Sequence, residues 1–284
     1  MAQKLRDREE RSLFPSVLLK GLVFFGGKGG VGKSTLSCAL ALKLSEHGRT
    51  LLLSIDPAHS LSGILGIKPA QTLREVKENL LVLELEPTKL VEDYAQKVLE
   101  ALTDLLPTAR SGLLEYAKYL RHSPTAQDTA MLDKLYEFAK EDYRYIVVDS
   151  APTGQMIRFF KTLSMVEGWF GFLEGLAKRR KEVSEFMGRK DELFELVSER
   201  RQRLRGISEL LKEKATIFAV ANEEPLALQE LELLRKELEG FRVVGVINRW
   251  KGMPTEFIKV KEVESPYGLE GIRQIEVDGL VNIL

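Results

Sequence analysis

Cysteine, long apolar runs and net charge are the features that this sequence of 284 residues has least of. It contains one cysteine, Cys38, which excludes a disulfide framework and a C-x-x-C metal site. No apolar run reaches the roughly 18 residues that suggest a membrane-spanning helix. The formal net charge of +0 argues against a general nucleic-acid binder. We therefore expect neither a membrane span nor a nucleic-acid partner.

The rest of the composition is that of a globular protein with an ample core. Hydrophobic residues make up 44% of the chain and charged residues 30%. Residues 1–11 are charged and lack the apolar segment of a secretory signal. The sequence therefore predicts a cytoplasmic protein, in which Cys38 is a small buried residue.

A glycine-rich loop at 26–35 lies between a predicted strand and a predicted helix. The apolar run at 17–25 is typical of a buried strand, and residues 36–44 are typical of a helix. The pattern G-x-x-x-x-G-K-S begins at Gly27, between these two elements. A strand, a glycine loop and a helix in this order form the context of a phosphate-binding loop.

Each part of this loop has a physical role towards phosphate. Glycines let successive backbone N–H groups turn towards phosphate oxygens, and the helix N-terminus adds a favourable dipole. Lys33 is expected at the β- and γ-phosphates, and the Ser34 hydroxyl is expected at Mg²⁺. The predicted nucleotide contacts of the loop are Gly27, Lys28, Gly29, Gly30, Val31, Gly32, Lys33, Ser34 and Thr35.

The order of the elements predicts an α/β fold, a P-loop NTPase with a mostly parallel twisted sheet flanked by helices. Further strands are predicted at 50–55, 80–85, 145–149, 216–221 and 243–247, with a helix near 225–239. We predict one ATPase domain over residues 1–284, with helical insertions at about 88–142 and 160–213 that form an α-helical subdomain. The charged run at 198–205 predicts a solvated helix face.

Two aspartates end predicted strands, where parallel strands bring ligands to one edge of the sheet. Asp149 is expected to hold Mg²⁺, with a helix N-cap as the alternative. Asp56 is expected to orient or deprotonate the attacking water. The predicted metal-site residues are Ser34, Asp56 and Asp149, and the predicted catalytic residues are Lys28, Lys33 and Asp56.

Two further residues have alternative interpretations from spacing alone. A simple phosphate loop does not require Lys28, so it is either a solvent-exposed lysine or a charge that acts across an interface, as an arginine finger does. Asn248 ends the last clear strand, so its amide either pairs with an adenine edge or serves a turn. The guanine-reading Asn-Lys-x-Asp pattern is absent from the sequence.

Four segments together resemble the family of arsenite-pump ATPases and tail-anchored-protein-targeting ATPases. Residues 28–34 resemble the deviant Walker A loop, with its early signature lysine. Residues 56–60 and 149–154 resemble the two switch segments of this family, and residues 266–272 resemble the loop that closes over adenine. The resemblance spans about residues 17–275 in order.

The resemblance implies an ATPase that uses Mg²⁺ and works as a homodimer with two facing nucleotides. It implies that Lys28 reaches the ATP of the partner subunit, while Asp56 positions the attacking water. The residues that it implies at adenine are Asn248, Pro266, Tyr267 and Gly268.

The sequence also departs from this family in its cysteines. Arsenite activation in the family uses cysteines, and the eukaryotic targeting factors hold a dimer-bridging zinc with a C-x-x-C pair. Because Cys38 is the one cysteine here, we expect no zinc and no metalloid activation. One phosphate loop in the chain implies that a second copy is needed.

Three functions are compatible with these features. An apolar, methionine-containing stretch at 156–176 is either a groove for a hydrophobic protein client or ordinary helical core. A client-binding ATPase, of the kind that targets tail-anchored membrane proteins or a related chaperone, is the first hypothesis. An ATPase subunit that drives an anion or arsenite efflux pump, with a membrane-protein partner, is the second. A partitioning or cell-division switch is the third.

Replacing Lys28 with alanine tests the role across the dimer. If Lys28 reaches the partner's ATP, Lys28→Ala lowers both hydrolysis and ATP-dependent dimerisation. The measurements are the ATPase rate and the native mass with and without ATP. If neither value changes, Lys28 has no role across the dimer, and the segment is an ordinary phosphate loop.

Overall fold

The computed structural model describes residues 18–54, 60–105, 115, 118–119, 123–149, 152–186 and 193–284. The chain divides into two compact units. The helical unit takes its described residues from 88–137 and 159–210, and the sheet unit takes them from 15–87, 138–158 and 211–284. None of the helices in these ranges is long and apolar enough to cross a membrane.

The sheet unit is built on an eight-stranded sheet with the order β3-β4-β2-β5-β1-β6-β7-β8. The strands are β1 (Gly21–Gly26), β2 (Thr50–Ser54), β3 (Arg74–Lys77), β4 (Leu80–Glu84), β5 (Tyr145–Asp149), β6 (Ala215–Ala221), β7 (Arg242–Trp250) and β8 (Ile258–Lys261). Neighbouring strands are parallel except β3 and β4. Every residue of β1, β2, β4, β5 and β6 is buried, as expected for strands covered on both faces.

Helices connect the strands and cover the sheet. They are α1 (Lys33–Leu44), α2 (Ser60–Leu65), α3 (Pro87–Leu105), α4 (Pro124–Phe138), α5 (Thr153–Phe186), α6 (Leu193–Lys214), α7 (Pro225–Glu237), α8 (Gly268–Arg273) and α9 (Asp278–Val281). Helix α1 packs on β1, β2 and β5, and α7 packs on β6 and β7. The mostly parallel sheet with flanking helices confirms the predicted α/β class.

The two outer strands and the start of β1 differ from the sequence prediction. β3 and β8 have four residues each and are interrupted by charged residues, so neither gives a continuous apolar run. β1 begins at Gly21 rather than at residue 17. Just before it, the Lys20 N–H donates to the carbonyl of Arg144 at 2.8 Å.

Ion pairs tie α4 to α6 within the helical unit. The Asp133 carboxylate lies 2.7 Å from a guanidinium nitrogen of Arg200 and 3.0 Å from Nε of Arg203. Burial opposes the charge of Arg200, but Asp133 and Tyr94 together outweigh burial and raise the pKa of Arg200. The prediction of a solvated helix face at 198–205 is therefore wrong at these two arginines, whose side chains are 21% and 29% exposed.

A buried carboxylate fixes the chain segment around α2 in the sheet unit. Glu84, the last residue of β4, has 1% of its surface exposed. One of its oxygens accepts the Ser62 N–H at 3.1 Å, and the other accepts the Ala70 N–H at 3.0 Å. Two segments distant from β4 in sequence are thus joined to one side chain.

Glu84→Gln replaces one of these acceptor oxygens with an amide that faces an N–H donor. A buried polar group left without its partner costs about 1–3 kcal/mol, so we expect the free energy of unfolding to fall by that amount. Denaturant unfolding measures it. Glu75→Gln is the matched control because Glu75 accepts the Asn79 N–H at an exposed site, and we expect a change under about 0.5 kcal/mol. Equal effects of the two substitutions would contradict this role of Glu84.

Candidate nucleotide site

The phosphate loop leaves β1 through a position that only glycine can occupy. The φ angle of Gly27 is 142°, and a Cβ added to it would lie 2.1 Å from the carbonyl oxygen of Val220 on β6. Any side chain at this position would push the loop away from the neighbouring strand. The first glycine of the motif is therefore required by packing against the sheet.

The middle of the loop faces open space. A Cβ added to Gly29 or Gly30 would meet no heavy atom within 4 Å. The φ angles of Gly30 and Gly32 are 83° and 93°, and Gly32 caps α1, whose first turn contains no acidic residue. The loop is thus open beside Gly29 and Gly30 and leads into the N-terminus of a helix whose first turn lacks acidic residues. Such a helix N-terminus favours a phosphate group.

Lys33 begins α1 and folds back over the loop. Its ammonium group donates to the carbonyl of Lys28 at 3.1 Å, which places a positive charge beside the loop backbone. Ser34 follows in the first turn of α1, and its carbonyl accepts the Ser37 hydroxyl at 2.8 Å. The helix thus begins three residues earlier than the predicted 36–44, so that Lys33 and Ser34 lie in its first turn rather than in the loop before it.

Lys28 lies beside an acidic residue of its own chain. Its ammonium group is 3.5 Å from Oε2 of Glu224, and the Lys28 side chain is 33% exposed. The other oxygen of Glu224 accepts the Asn222 amide at 2.8 Å. These hydrogen bonds, first that of Asn222 and then that of Lys28, lower the pKa of Glu224. A partly exposed pair of this kind contributes little stability, so Lys28 can leave Glu224 at low cost.

Asp149 lies at the carboxyl edge of the sheet, as its position in the sequence predicts. It is the last residue of β5, in register with Phe25 of β1 and Ser54 of β2, and it is fully buried. Cys38 of α1 is also fully buried, as predicted. Burial, and next the charge of Asp149, raise the pKa of the Cys38 thiol.

Oxygen donors at this edge suit Mg²⁺. The predicted ligands Ser34 and Asp149 offer a hydroxyl and a carboxylate, the hard donors that Mg²⁺ prefers. Among the described residues, no group of three or more His, Cys, Asp and Glu side chains is placed to hold a metal ion. That is consistent with the way Mg²⁺ binds beside nucleotides, through one or two protein oxygens together with phosphate and water.

Asn248 lies within β7 and contacts the phosphate loop. It is buried, and its amide donates to the carbonyl of Val31 at 2.8 Å. A Cβ added to Gly32 would lie 2.4 Å from the same amide nitrogen. Asn248 is therefore not a turn residue, and it supports the loop from β7. Its role at adenine stays a prediction.

The predicted adenine loop lies at the start of α8, a helix that packs on α1 and α2. Tyr267 occupies the N-cap position of α8 and is 69% exposed. The φ angles of Ser265 and Gly268 are 53° and 71°, so the chain turns sharply on both sides of Pro266 and Tyr267. The predicted adenine loop therefore lies next to α1, the helix that follows the phosphate loop.

Some predicted residues fall outside the described part of the chain. They are Asp56, with the neighbouring residues 55 and 57–59, and Ser150 and Ala151 of the second switch segment. The role of Asp56 at the attacking water stays a prediction.

Sequence reasoning missed an acidic pair just after β6. Next to Glu224, the carboxylate of Glu223 accepts the N–H groups of Lys251, Gly252 and Met253 at 2.9, 3.1 and 2.9 Å. These bonds, of which that of Met253 has the largest effect, lower the pKa of Glu223. The signal in the sequence was a pair of glutamates between a predicted parallel strand and Pro225.

Comparisons with known proteins agree with this geometry. Residues 20–249 match the model of the family described as anion-transporting ATPase. The chain is 36% identical over 261 residues to a putative arsenical pump-driving ATPase 2 of Aquifex aeolicus, with 86% of each chain covered. It is 29% identical over 238 residues to the ATPase get3 of Pyrenophora tritici-repentis, covering 78% of this chain and 70% of the relative. It is 28% identical over 234 residues to the ATPase get3 of Schizosaccharomyces pombe, with the same coverage. The chain therefore belongs to the anion-transporting ATPase family and is a P-loop ATPase.

Proposed function

We propose that this ATPase hydrolyses ATP with Mg²⁺ as a homodimer and couples its nucleotide state to the binding of a hydrophobic protein client. The observation that carries the proposal is the open phosphate loop with two lysines. Lys33 folds over the loop of its own chain, while the partly exposed Lys28 pairs with the exposed Glu224. One lysine thus suits the chain's own nucleotide and the other suits a nucleotide across an interface.

The residues of the chain divide the chemistry among them. The backbone of the loop and Lys33 bind the β- and γ-phosphates, and Ser34 and Asp149 hold Mg²⁺. When bound there, Mg²⁺ would supply positive charge against the charge that develops on the phosphates. Asp56 orients the attacking water, and Lys28 of one subunit stabilises the charge that develops on the ATP of the other.

Exposed apolar side chains in the helical unit are evidence for a client with an apolar segment. On α5, Phe160 and Leu163 are buried, whereas Met165 and Phe172 are 59% and 58% exposed. Residues seven apart lie on the same face of a helix. The stretch at 156–176 is therefore partly core and partly exposed apolar surface, and adaptable methionine and aromatic side chains suit an apolar client helix.

The pump-driving function is the second candidate. The relative of Aquifex aeolicus carries that description at 36% identity. The single cysteine counts against activation by metalloids, because thiolates are the soft ligands that such ions prefer.

Gly32→Ala tests nucleotide binding directly. The left-handed conformation costs a residue with a Cβ about 1–2 kcal/mol, and the new Cβ would also displace Asn248 from Val31. We expect ATP to bind at least about tenfold more weakly, measured by titration calorimetry with Mg²⁺ and with EDTA. Gly63→Ala in α2 is the control, since its Cβ would meet no heavy atom within 4 Å. Unchanged affinity of the Gly32 variant would contradict the proposal. So would a wild-type ATPase rate that, in a parallel assay, is the same with EDTA as with Mg²⁺.

Met165→Asp combined with Phe172→Asp tests the client surface. The probe is a synthetic apolar helical peptide of about 20 residues, the length of a membrane span. We expect the wild type to co-elute with it when ATP is present, and the double variant to retain at least about fivefold less peptide. Leu73→Asp is the control, because Leu73 is an exposed apolar residue of the sheet unit. No peptide binding together with arsenite-stimulated hydrolysis would favour the pump-driving function.

A further inference from the structure

Thr153 connects the second switch segment to a different helix of the sheet unit. It is the first residue of α5 and follows Asp149 by four positions. Its side chain is buried, and its hydroxyl donates to Oε2 of Glu230 on α7. The two residues are 77 positions apart in sequence. This bond joins the start of α5 to α7 through polar side chains.

Apolar packing brings the same elements together beside the phosphate loop. A Cβ added to Gly26, the last residue of β1, would lie 2.6 Å from Sδ of Met156 on α5 and 2.9 Å from Cδ1 of Leu234 on α7. The start of α5, the second half of α7 and the end of β1 therefore meet at one point. Because that point is closely packed, a displacement of one element also displaces the other two.

Helix α7 also contacts the loop at its other end. Glu224, at the N-cap position of α7, pairs with Lys28. Glu230 lies less than two turns further along the same helix. One rigid helix thus bears a carboxylate against the phosphate loop and another against the switch segment.

We propose that Glu230 is a positioning residue for hydrolysis, which acts by holding Thr153 and with it the first turn of α5. The inference rests on the proposed ATP hydrolysis and takes residues 149–154 as the switch segment that their resemblance implies, one that responds to the γ-phosphate. The negative charge of Glu230 also lies at the N-terminus of a long helix, where free N–H groups make an anion favourable. The bond therefore fixes where α5 begins relative to the loop, and it does so without contact to the phosphates.

The chain contains a matched control for this bond on the same helix. Thr162 of α5 is also buried, and its hydroxyl donates to Oδ2 of Asp128 on α4 at 3.2 Å. Both pairs join a threonine to a carboxylate of another helix. Thr153 belongs to the sheet unit and Thr162 to the helical unit. If both bonds only stabilise the fold, loss of either hydroxyl should have the same effect on kcat.

The first test compares Thr153→Val with Thr162→Val, which remove the hydroxyl and keep the shape. We expect Thr153→Val to lower kcat at least about fivefold, with the KM for ATP changed by less than about twofold. We expect Thr162→Val to leave kcat within about twofold, although both variants lower the Tm to a similar extent. Thr153→Ser, which keeps a hydroxyl, restores kcat. Equal kcat values for the two valine variants, or a loss that appears in KM, would overturn the inference.

A double variant tests whether Thr153 acts through Glu230. If one bond is responsible, Thr153→Val combined with Glu230→Ala has the kcat of the slower single variant, because the second change has nothing further to remove. Glu230→Gln keeps an acceptor oxygen for the hydroxyl and retains more activity than Glu230→Ala. If the fold-losses in kcat of the two single variants multiply in the double variant, the residues act separately and the inference is overturned.

A readout without hydrolysis separates this inference from the proposed function. Amide hydrogen exchange of residues 153–158 is measured with and without Mg²⁺ and a non-hydrolysable ATP analogue, which keeps the γ-phosphate. We expect the nucleotide to slow exchange in the wild type and in Thr162→Val, and to have less than half that effect in Thr153→Val. A wild type without ATPase activity would refute the proposed function alone, whereas equal slowing in all three proteins would refute the role of Glu230.

Discussion

The nucleotide site depends on how closely the phosphate loop approaches the strand beside it. At Gly27 there is no room for a side chain next to the Val220 carbonyl, and next to Gly32 the loop is held by the Asn248 amide. The loop is therefore supported from β6 and β7, the strands on one side of β1. Asp149 arrives from β5, the strand on the other side. A parallel sheet places all these chain ends at one edge, so the chemistry follows from strand order.

Three glutamates bind side chains and backbone N–H groups near the carboxyl edge of the sheet. Glu224 lies at Lys28, Glu230 at Thr153, and Glu223 at three N–H groups of the loop after β7. All three glutamates belong to the short segment 223–230, around the start of α7. Carboxylates bonded to backbone or hydroxyl groups restrict loops without adding bulk. The segment after β6 thus contacts the phosphate loop, the start of α5 and the loop after β7.

Short-range signals in the sequence were sufficient for most of the sheet and the phosphate loop. Glycine spacing and apolar runs identify β1, the loop and α1, because these features follow from local geometry. The edge strands β3 and β8 could not be predicted, since four residues interrupted by charges give no clear period. Nor could Glu230, because one glutamate on a polar helix face looks like any other until α5 is placed beside it. The ion pairs of Asp133 were hidden for the same reason.

The two charged outer strands also bear on how copies of the chain meet. β3 and β8 end the sheet on either side, and both present lysine together with a short hydrogen-bonding edge. Short edges with charged side chains resist the addition of a strand from another molecule. Two copies are therefore kept from joining edge to edge into one continuous sheet. In the homodimer proposed above, contact would instead involve the loops at the carboxyl ends of the strands, where the phosphate loop lies and where a bound nucleotide would be part of the interface.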